Sequence, residues 1–275
     1  MFSTNPFANL PSAWPASTMQ IYVVLMVLAV IVGTLLDMIH KGSATYFFAN
    51  WRKTRGKGAP VDLASIAVKT AVVDVLTSGE FCNPRRRLAH LLTMYGFILY
   101  VVTTAILVFG YPTAALPAPA LVTLLWWLGA LMVALGGYWF WFFIRVDVAA
   151  EGGTPWRVER ADLFILSLLA SVSFGLLWAA LQSQGGVVAG IFFTLYLIAT
   201  TVLFGGVYWS KFAHMFFKPA AAFEKRVSKA NGTFANLPLQ TRDDPAQRER
   251  HSMELLRDAP MDMGLGIKRE APRHY

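Results

Sequence analysis

The chain has 275 residues, of which 56% are hydrophobic, 14% aromatic and only 15% charged. Soluble domains carry roughly 25% charged residues, so this composition excludes an ordinary water-soluble domain and indicates a membrane protein. The net charge of +8 would suggest nucleic-acid binding in a soluble protein. In a membrane protein, basic residues set the orientation of the spans and attract anionic lipid headgroups, which explains the positive net charge more simply. Lipids and not nucleic acid are therefore the expected partners.

Five long apolar segments are each long enough to cross a bilayer, which takes about 20 helical residues. The sequence therefore predicts an all-α fold, an integral membrane bundle of five transmembrane helices that occupies residues 19–217. The fifth segment exceeds the thickness of a bilayer and is expected to tilt or to extend past the surface. The five predicted spans are about Met19–Met38, Leu88–Phe109, Ala120–Ile144, Leu163–Leu181 and Val187–Phe217.

Charged residues occur on one side of these spans. The segments before span one, between spans two and three, and between spans four and five contain no Lys, Arg, Asp or Glu. The 24 basic residues divide into nine between spans one and two, three between spans three and four, and twelve from Lys211 onward. The positive-inside rule then predicts an N-terminus outside, with residues 1–18 as an external lead-in, and a C-terminus in the cytoplasm.

Three segments on the predicted cytoplasmic side are not spans. The basic sequence WRKTRGKGAP is expected to rest against lipid headgroups. Residues 61–78 predict a helix, largely apolar, that lies in the interface or packs under the bundle. Residues 218–275 change to a polar composition, and this cytoplasmic tail is expected to be disordered unless a soluble partner orders it.

Two histidines enter the membrane at one level on different spans. His90 lies three residues beyond Arg87 at the start of span two, and His214 lies three beyond Lys211 near the end of span five. At the helical rise, both lie within about 5–6 Å of the cytoplasmic boundary. Neutral imidazole is a standard axial ligand of haem iron, so the pair could hold one b-type haem if the two helices are neighbours.

Two further groups of residues allow more than one interpretation. Asp37 and His40 share one face at the end of span one, where they either mark the exit from lipid or contribute to a site. Span three carries Trp126–Trp127 and the aromatic run at 138–143. Such residues are typical of an interfacial belt, although they could also wall a flat ring such as a porphyrin or a quinone.

These features resemble a known family. The sequence RRRLAHLLTMYGF opens span two and SKFAH ends span five, within five crossings that start outside. This pattern is similar to the membrane subunits related to the nitrate reductase gamma subunit. Within them it most resembles the membrane subunit of the quinone-interacting membrane-bound oxidoreductase and the membrane anchors of adenylylsulfate (APS) reductase in sulfur-oxidising bacteria. The resemblance covers residues 19–219 and implies a multi-pass protein of the bacterial cytoplasmic (inner) membrane.

The resemblance also implies ligands. In two-haem members of the family, the positions that hold the inner haem match His90 and His214. The outer-haem positions hold Tyr100 and Tyr196 here, and the outer half contains no histidine, so an outer bis-His haem is excluded. His40 is an alternative ligand or a quinone contact.

The function that the resemblance implies is a membrane anchor and electron-transfer subunit. It would link a cytoplasmic flavin and iron–sulfur oxidoreductase, APS reductase, to the quinone pool through one b-type haem. This chain would be non-catalytic or quinone-reactive, since the sequence offers no nucleophile, phosphate loop or metal-binding cluster. One alternative is a haem-free docking anchor. A small transporter ranks last, because it would need buried charges in mid-membrane that the spans do not supply.

Overall fold

The structure is a computed structural model that describes residues 2–11, 13–54, 56–79, 81, 83–145, 156–182, 186–210 and 212–233. Within these ranges the chain is helical and forms no strand, which confirms the predicted all-α fold. Three helices end in π-helical turns, at Thr70–Leu76, Ile106–Gly110 and Phe140–Ile144. The α-helices are α1 (Ala16–Lys41), α2 (Ser43–Thr54), α3 (Leu63–Lys69), α4 (Pro84–Ala105), α5 (Ala120–Trp139), α6 (Leu163–Leu181), α7 (Gly186–Gly205) and α8 (His214–Ala230).

Five of the described helices are long and apolar enough to cross a membrane, as predicted. The protein is therefore a multi-pass membrane protein. The first four spans agree with the predicted segments to within a few residues. The observed spans are Ala16–His40, Pro84–Gly110, Ala120–Ile144, Leu163–Leu181 and Gly186–Gly205.

The fifth predicted span differs from the structure because α7 ends at Gly205, well before the predicted end at Phe217. Two consecutive glycines, Gly205 and Gly206, lie at this point, and glycine has a low helix propensity. A Cβ on Gly206 would lie 2.4 Å from the carbonyl oxygen of Val202, so a larger residue would force the backbone to move. Residues 206–213, which we call the connecting segment, then lead to α8.

Residues 218–230 of the predicted tail belong to α8, which runs from His214 to Ala230. Pro219 is the sixth residue of this helix, so the helix lacks the hydrogen bond that a backbone N–H there would donate to the carbonyl of Met215. Residues 234–275 of the predicted tail lie outside the described residues.

The chain divides into two compact units, of which the first contains the five spans and comprises Met1–Thr45 and Asn83–Lys218. Its tightest helix pair is α4 and α5. A Cβ on Gly96 would lie 2.8 Å from the carbonyl oxygen of Gly129, and one on Gly136 would lie 2.7 Å from that of Ala89. Small residues let helix backbones approach in this way, and close packing drives helix association in lipid.

The second unit comprises Tyr46–Cys82 and Pro219–Tyr275. The indole ring of Trp51 stacks on Phe223 with ring centroids 5.6 Å apart. Arg226 binds Asp74 through Nε at 2.5 Å and Nη2 at 2.8 Å. This hydrogen bond raises the pKa of the Arg226 guanidinium, so the side chain stays charged under all ordinary conditions.

The N-terminal segment packs into the first unit, where Phe7 is only 1% exposed. Its ring lies 5.9 Å from Trp126 and 5.4 Å from Trp178. The side-chain amide of Asn5 donates to the carbonyl of Tyr111 at 2.7 Å, and the amide of Gln182 donates to that of Pro6 at 2.7 Å. Residues 5–9 therefore close one end of the bundle, which we call the Phe7 end.

Candidate functional site

The His90 end of the bundle is the end at which α4 begins. The side chain of Asn83 accepts hydrogen bonds from the backbone N–H groups of Arg85 at 2.9 Å and Arg86 at 3.4 Å. With Pro84 at the first helical position, this arrangement fixes where α4 starts. His90 follows in the second turn and is half-buried, next to the fully buried Ala89 at the contact with α5.

Phe212 holds the connecting segment in place. This residue is 2% exposed and lies at the centre of an aromatic group to which three spans contribute. We call this group the phenylalanine cluster. The ring centroids of its members lie 5.2–6.2 Å from that of Phe212, and the members are Phe97 from α4, Phe164 from α6, Phe204 from α7 and Phe216 from α8.

His214 is the first residue of α8, two residues beyond Phe212, and its side chain lies outside the described part of the structure. The contact between Phe212 and Phe97 makes the connecting segment a neighbour of α4. Phe97 is two turns from His90, about 10 Å along the helix. The structure therefore brings together the two elements that carry the predicted ligands, which the sequence could not establish.

His40 lies near the end of α1, where it is exposed. Its ring contacts Tyr208 of the connecting segment edge-on, with centroids 5.7 Å apart. One turn earlier, Asp37 is 2% exposed. The helix that carries His40 also packs on this segment, because a Cβ on Gly33 would lie 2.9 Å from the Cβ of Val207. All three predicted histidines thus belong to elements that meet around the connecting segment.

Two features of the chain are relevant to bis-histidine ligation of one haem. The donor set is two imidazoles, which is the chemistry that b-type haem requires. The elements that carry His90 and His214 are neighbours through the phenylalanine cluster, which is apolar. No group of three or more His, Cys, Asp or Glu side chains that could hold a metal ion occurs in the described ranges.

The Phe7 end is filled with aromatic side chains. Tyr100 and Tyr196 are both buried in the core. They contact the same residue, because a Cβ on Gly175 would lie 2.9 Å from the hydroxyl of Tyr100 and 3.2 Å from the ring of Tyr196. Trp178 stacks on Tyr196 at 5.7 Å, and Trp126 packs against Tyr100 at 5.3 Å. These side chains occupy the space between α4 and α7 at this level.

The tryptophan pair of span three is part of this packing. Trp126 is fully buried and Trp127 nearly so, and the indole N–H of Trp126 donates to the hydroxyl of Thr104 at 2.9 Å. An interfacial belt, which was the favoured interpretation, is therefore wrong for these two residues. Consecutive tryptophans cannot both follow one face of a helix, and the fold buries both by packing Phe2 and Phe7 against them.

Sequence reasoning missed the hydroxyl pairs between spans. Ser171 and Thr200 share a buried hydrogen bond of 2.7 Å between α6 and α7. The hydroxyl of Tyr22 donates to the carbonyl of Leu197 at 2.9 Å. The same hydroxyl lies 3.0 Å from the side-chain hydroxyl of Thr201. Isolated Ser, Thr and Tyr residues in apolar spans were the available signal, since such groups need partners in lipid.

An ion pair joins the ends of spans three and four. The Nε of Arg145 donates to Oδ1 of Asp162 at 2.9 Å, and its Nη2 donates to Oδ2 and, at 2.8 Å, to the carbonyl of Arg157. The guanidinium lies over the ring of Trp141 at 4.2 Å. Asp162 directly precedes α6, and its carboxylate accepts hydrogen bonds from Arg145 and, at 2.9 Å, from the backbone N–H of Glu159.

The likeness to the nitrate reductase gamma type of membrane subunit depends on short motifs around His90 and His214. No family model, no curated protein and no solved structure matches the chain.

Proposed function

We propose that this protein is the membrane anchor and electron-transfer subunit of a cytoplasmic oxidoreductase of sulfur metabolism. The partner would be a flavin and iron–sulfur enzyme such as APS reductase, and membrane quinone would be the electron acceptor. The observation that carries the proposal is the contact between Phe97 and Phe212, because it joins the helix of His90 to the segment that ends at His214.

One b-type haem, when bound by His90 and His214, would supply one-electron transfer between the partner and quinone. The role of the chain is to present two neutral imidazoles and to keep water away from them. The phenylalanine cluster serves the second purpose, since Phe212 and Ala213, immediately before His214, are both 2% exposed. His40 is exposed beside Tyr208. In this proposal it would contact quinone at the lipid boundary.

The proposed orientation puts the Phe7 end outside and the His90 end in the cytoplasm. Support comes from charge, since Arg85–Arg87 and Arg145 lie at the ends of their spans on one side. The helix over 63–76 is proposed to lie in the cytoplasmic interface. It exposes an apolar stripe of Val68, Val72 and Leu76, which suits contact with lipid.

The first test is a dithionite-reduced minus air-oxidised visible spectrum of the purified protein, with haem quantified against protein. We expect a sharp b-type α band at about one haem per chain, the stoichiometry of one bis-histidine site. Protein produced with sufficient haem that contains none would overturn the electron-transfer role. It would leave a haem-free docking anchor.

The partner is tested by co-purification with a truncated chain. A cut after Thr233 retains Phe223 and Arg226, which hold the second unit together, and removes only the following residues. We expect this truncation to weaken capture of the oxidoreductase while the visible spectrum stays unchanged. Full capture by the truncated chain would show that residues 234–275 do not dock the partner.

A further inference from the structure

The side chain of Arg145 folds back along span three. Arg145 directly follows Ile144, the last residue of that span, and its guanidinium lies 4.2 Å from the ring centroid of Trp141, one turn earlier in the helix. Side chains of a helix are directed toward its N-terminus, which is the direction seen here. The guanidinium therefore lies at the level of the last turn of span three and not beyond the end of the span.

Arg145 fixes the level of the loop segment that returns to span four. Its Nη2 donates to the backbone carbonyl of Arg157 at 2.8 Å, and its Nε donates to Oδ1 of Asp162 at 2.9 Å. The backbone N–H of Asp162 donates to the carbonyl of Glu159 at 2.9 Å, which closes a turn directly before span four. Residues 157–162 are thus held at the level where both spans end, and all of these residues belong to the first unit.

Two apolar side chains are exposed next to this anchored carbonyl. Trp156 is 83% exposed and Val158 is 60% exposed, so the protein leaves most of both side chains uncovered. Consecutive Cα atoms are about 3.8 Å apart, so both residues start close to the Arg157 carbonyl. An indole combines an apolar ring with an N–H donor, and tryptophan is enriched at the level of lipid headgroups for this reason.

We propose that Trp156 and Val158 insert into the headgroup layer of the bilayer, so that residues 156–160 are part of the membrane-embedded structure. The ligand is phospholipid, with the ring of the indole against the upper acyl chains and its N–H donating to an ester or phosphate oxygen. The position of the Arg157 carbonyl at the level of Trp141 carries the inference, because a side chain exposed at that level meets lipid headgroups. The proposal requires only the spans and is independent of the redox function.

The test places a spin label beside Trp156 and leaves the indole in place. Val158→Cys is labelled with a nitroxide in a Cys82→Ala background, which removes the single native cysteine. The full chain is reconstituted in phosphatidylcholine nanodiscs. Collision of the label with oxygen, which concentrates in the bilayer, is compared with collision with a water-soluble nickel chelate. The same label at Leu131, 44% exposed near the middle of span three, gives the reference value for contact with lipid.

We expect the oxygen-to-nickel collision ratio at residue 158 to lie between the ratio at residue 131 and that of free label in water. Trp156→Ser should shift the ratio toward the aqueous value, because the segment loses the indole that holds it in the headgroup layer. Trp156→Phe should retain most of the ratio, since it keeps an aromatic ring. Arg157→Gln is the matched control and should leave the ratio unchanged, because it alters the neighbouring side chain but not the carbonyl that Arg145 binds.

Three results would overturn the proposal. The aqueous ratio at residue 158, with Trp156 intact, would place the segment in water. Collision with neither reagent would place it in a protein contact, such as one with a second copy of the chain. An unchanged ratio in Trp156→Ser would show that the indole does not hold the segment in the bilayer.

Discussion

The rings of Phe97 and Phe212 lie 6.2 Å apart and nearly perpendicular, and this contact joins α4 to the connecting segment. An edge-to-face pair of this kind stabilises by about 0.5–1.5 kcal/mol beyond its buried area. Phe212 makes such contacts with several helices at once. The position at which α8 begins, and so the backbone of His214, therefore depends on this one side chain.

Phe212→Ala is the first prediction. Loss of the ring should destabilise the protein by up to about 3–5 kcal/mol, the range for large-to-small changes in cores. The haem-to-protein ratio should also fall. Lipid is as apolar as phenylalanine, so the cost should come mainly from lost packing and should lie toward the low end. Unfolding in mixed micelles and the haem-to-protein ratio measure the two effects.

Phe216→Ala is the matched control, because this ring also contacts Phe212, at 6.2 Å, but is 49% exposed. It should cost much less than Phe212→Ala. Equal losses in the two variants would show that the phenylalanine cluster does not position the segment.

The second prediction concerns the histidines. His90→Ala and His214→Ala should each abolish the low-spin b-type spectrum, because bis-histidine ligation needs both imidazoles. His40→Ala should keep the spectrum, since the exposed imidazole lies beside Tyr208 at the edge of the bundle. Visible difference spectra of the three variants decide this, and an unchanged spectrum in either of the first two would reject the ligand pair.

The sequence was sufficient for the spans because length and hydrophobicity determine them directly. It was insufficient at the end of span five, where apolar residues continue past Gly205 although the helix does not. Hydrophobicity reports burial and not backbone conformation, so the connecting segment looked like helix. The position of Phe7 could not be predicted from the sequence for a similar reason. Its ring packs between Trp126 and Trp178, which are far away in the sequence, and the uncharged, proline-containing segment around Phe7 does not indicate this contact.

The third prediction tests the packing at the Phe7 end. Gly175→Ala should destabilise by about 1–3 kcal/mol, the usual cost of overpacking, because the new methyl group would lie 2.9 Å from the hydroxyl of Tyr100. Gly190→Ala is the control, since its Cβ meets nothing within 4 Å and lies in α7. That variant should be neutral or slightly more stable. Similar melting temperatures for both variants would contradict the close contact around Gly175.

The fourth prediction concerns the ion pair between spans three and four. The side chains of Arg145 and Asp162 are only 15% and 13% exposed, so solvent screens their hydrogen bonds weakly. A double-mutant cycle of Arg145→Gln and Asp162→Asn should give a coupling free energy of about 1.5–3 kcal/mol, typical of hydrogen bonds to charged groups. The coupling should persist in high salt.

The adjacent pair of Arg157 and Glu159 provides the comparison, because its side chains are 69% and 57% exposed at a distance of 3.4 Å. An exposed pair contributes at most about 1 kcal/mol, and salt reduces it further. The same cycle with Arg157→Gln and Glu159→Gln should therefore give little coupling. If both cycles gave equal and salt-sensitive values, the Arg145 pair would have to be as open to solvent as its neighbour. The two spans would then be held together by their other contacts, which include the hydrogen bond of 2.7 Å between the hydroxyls of Tyr138 and Ser173.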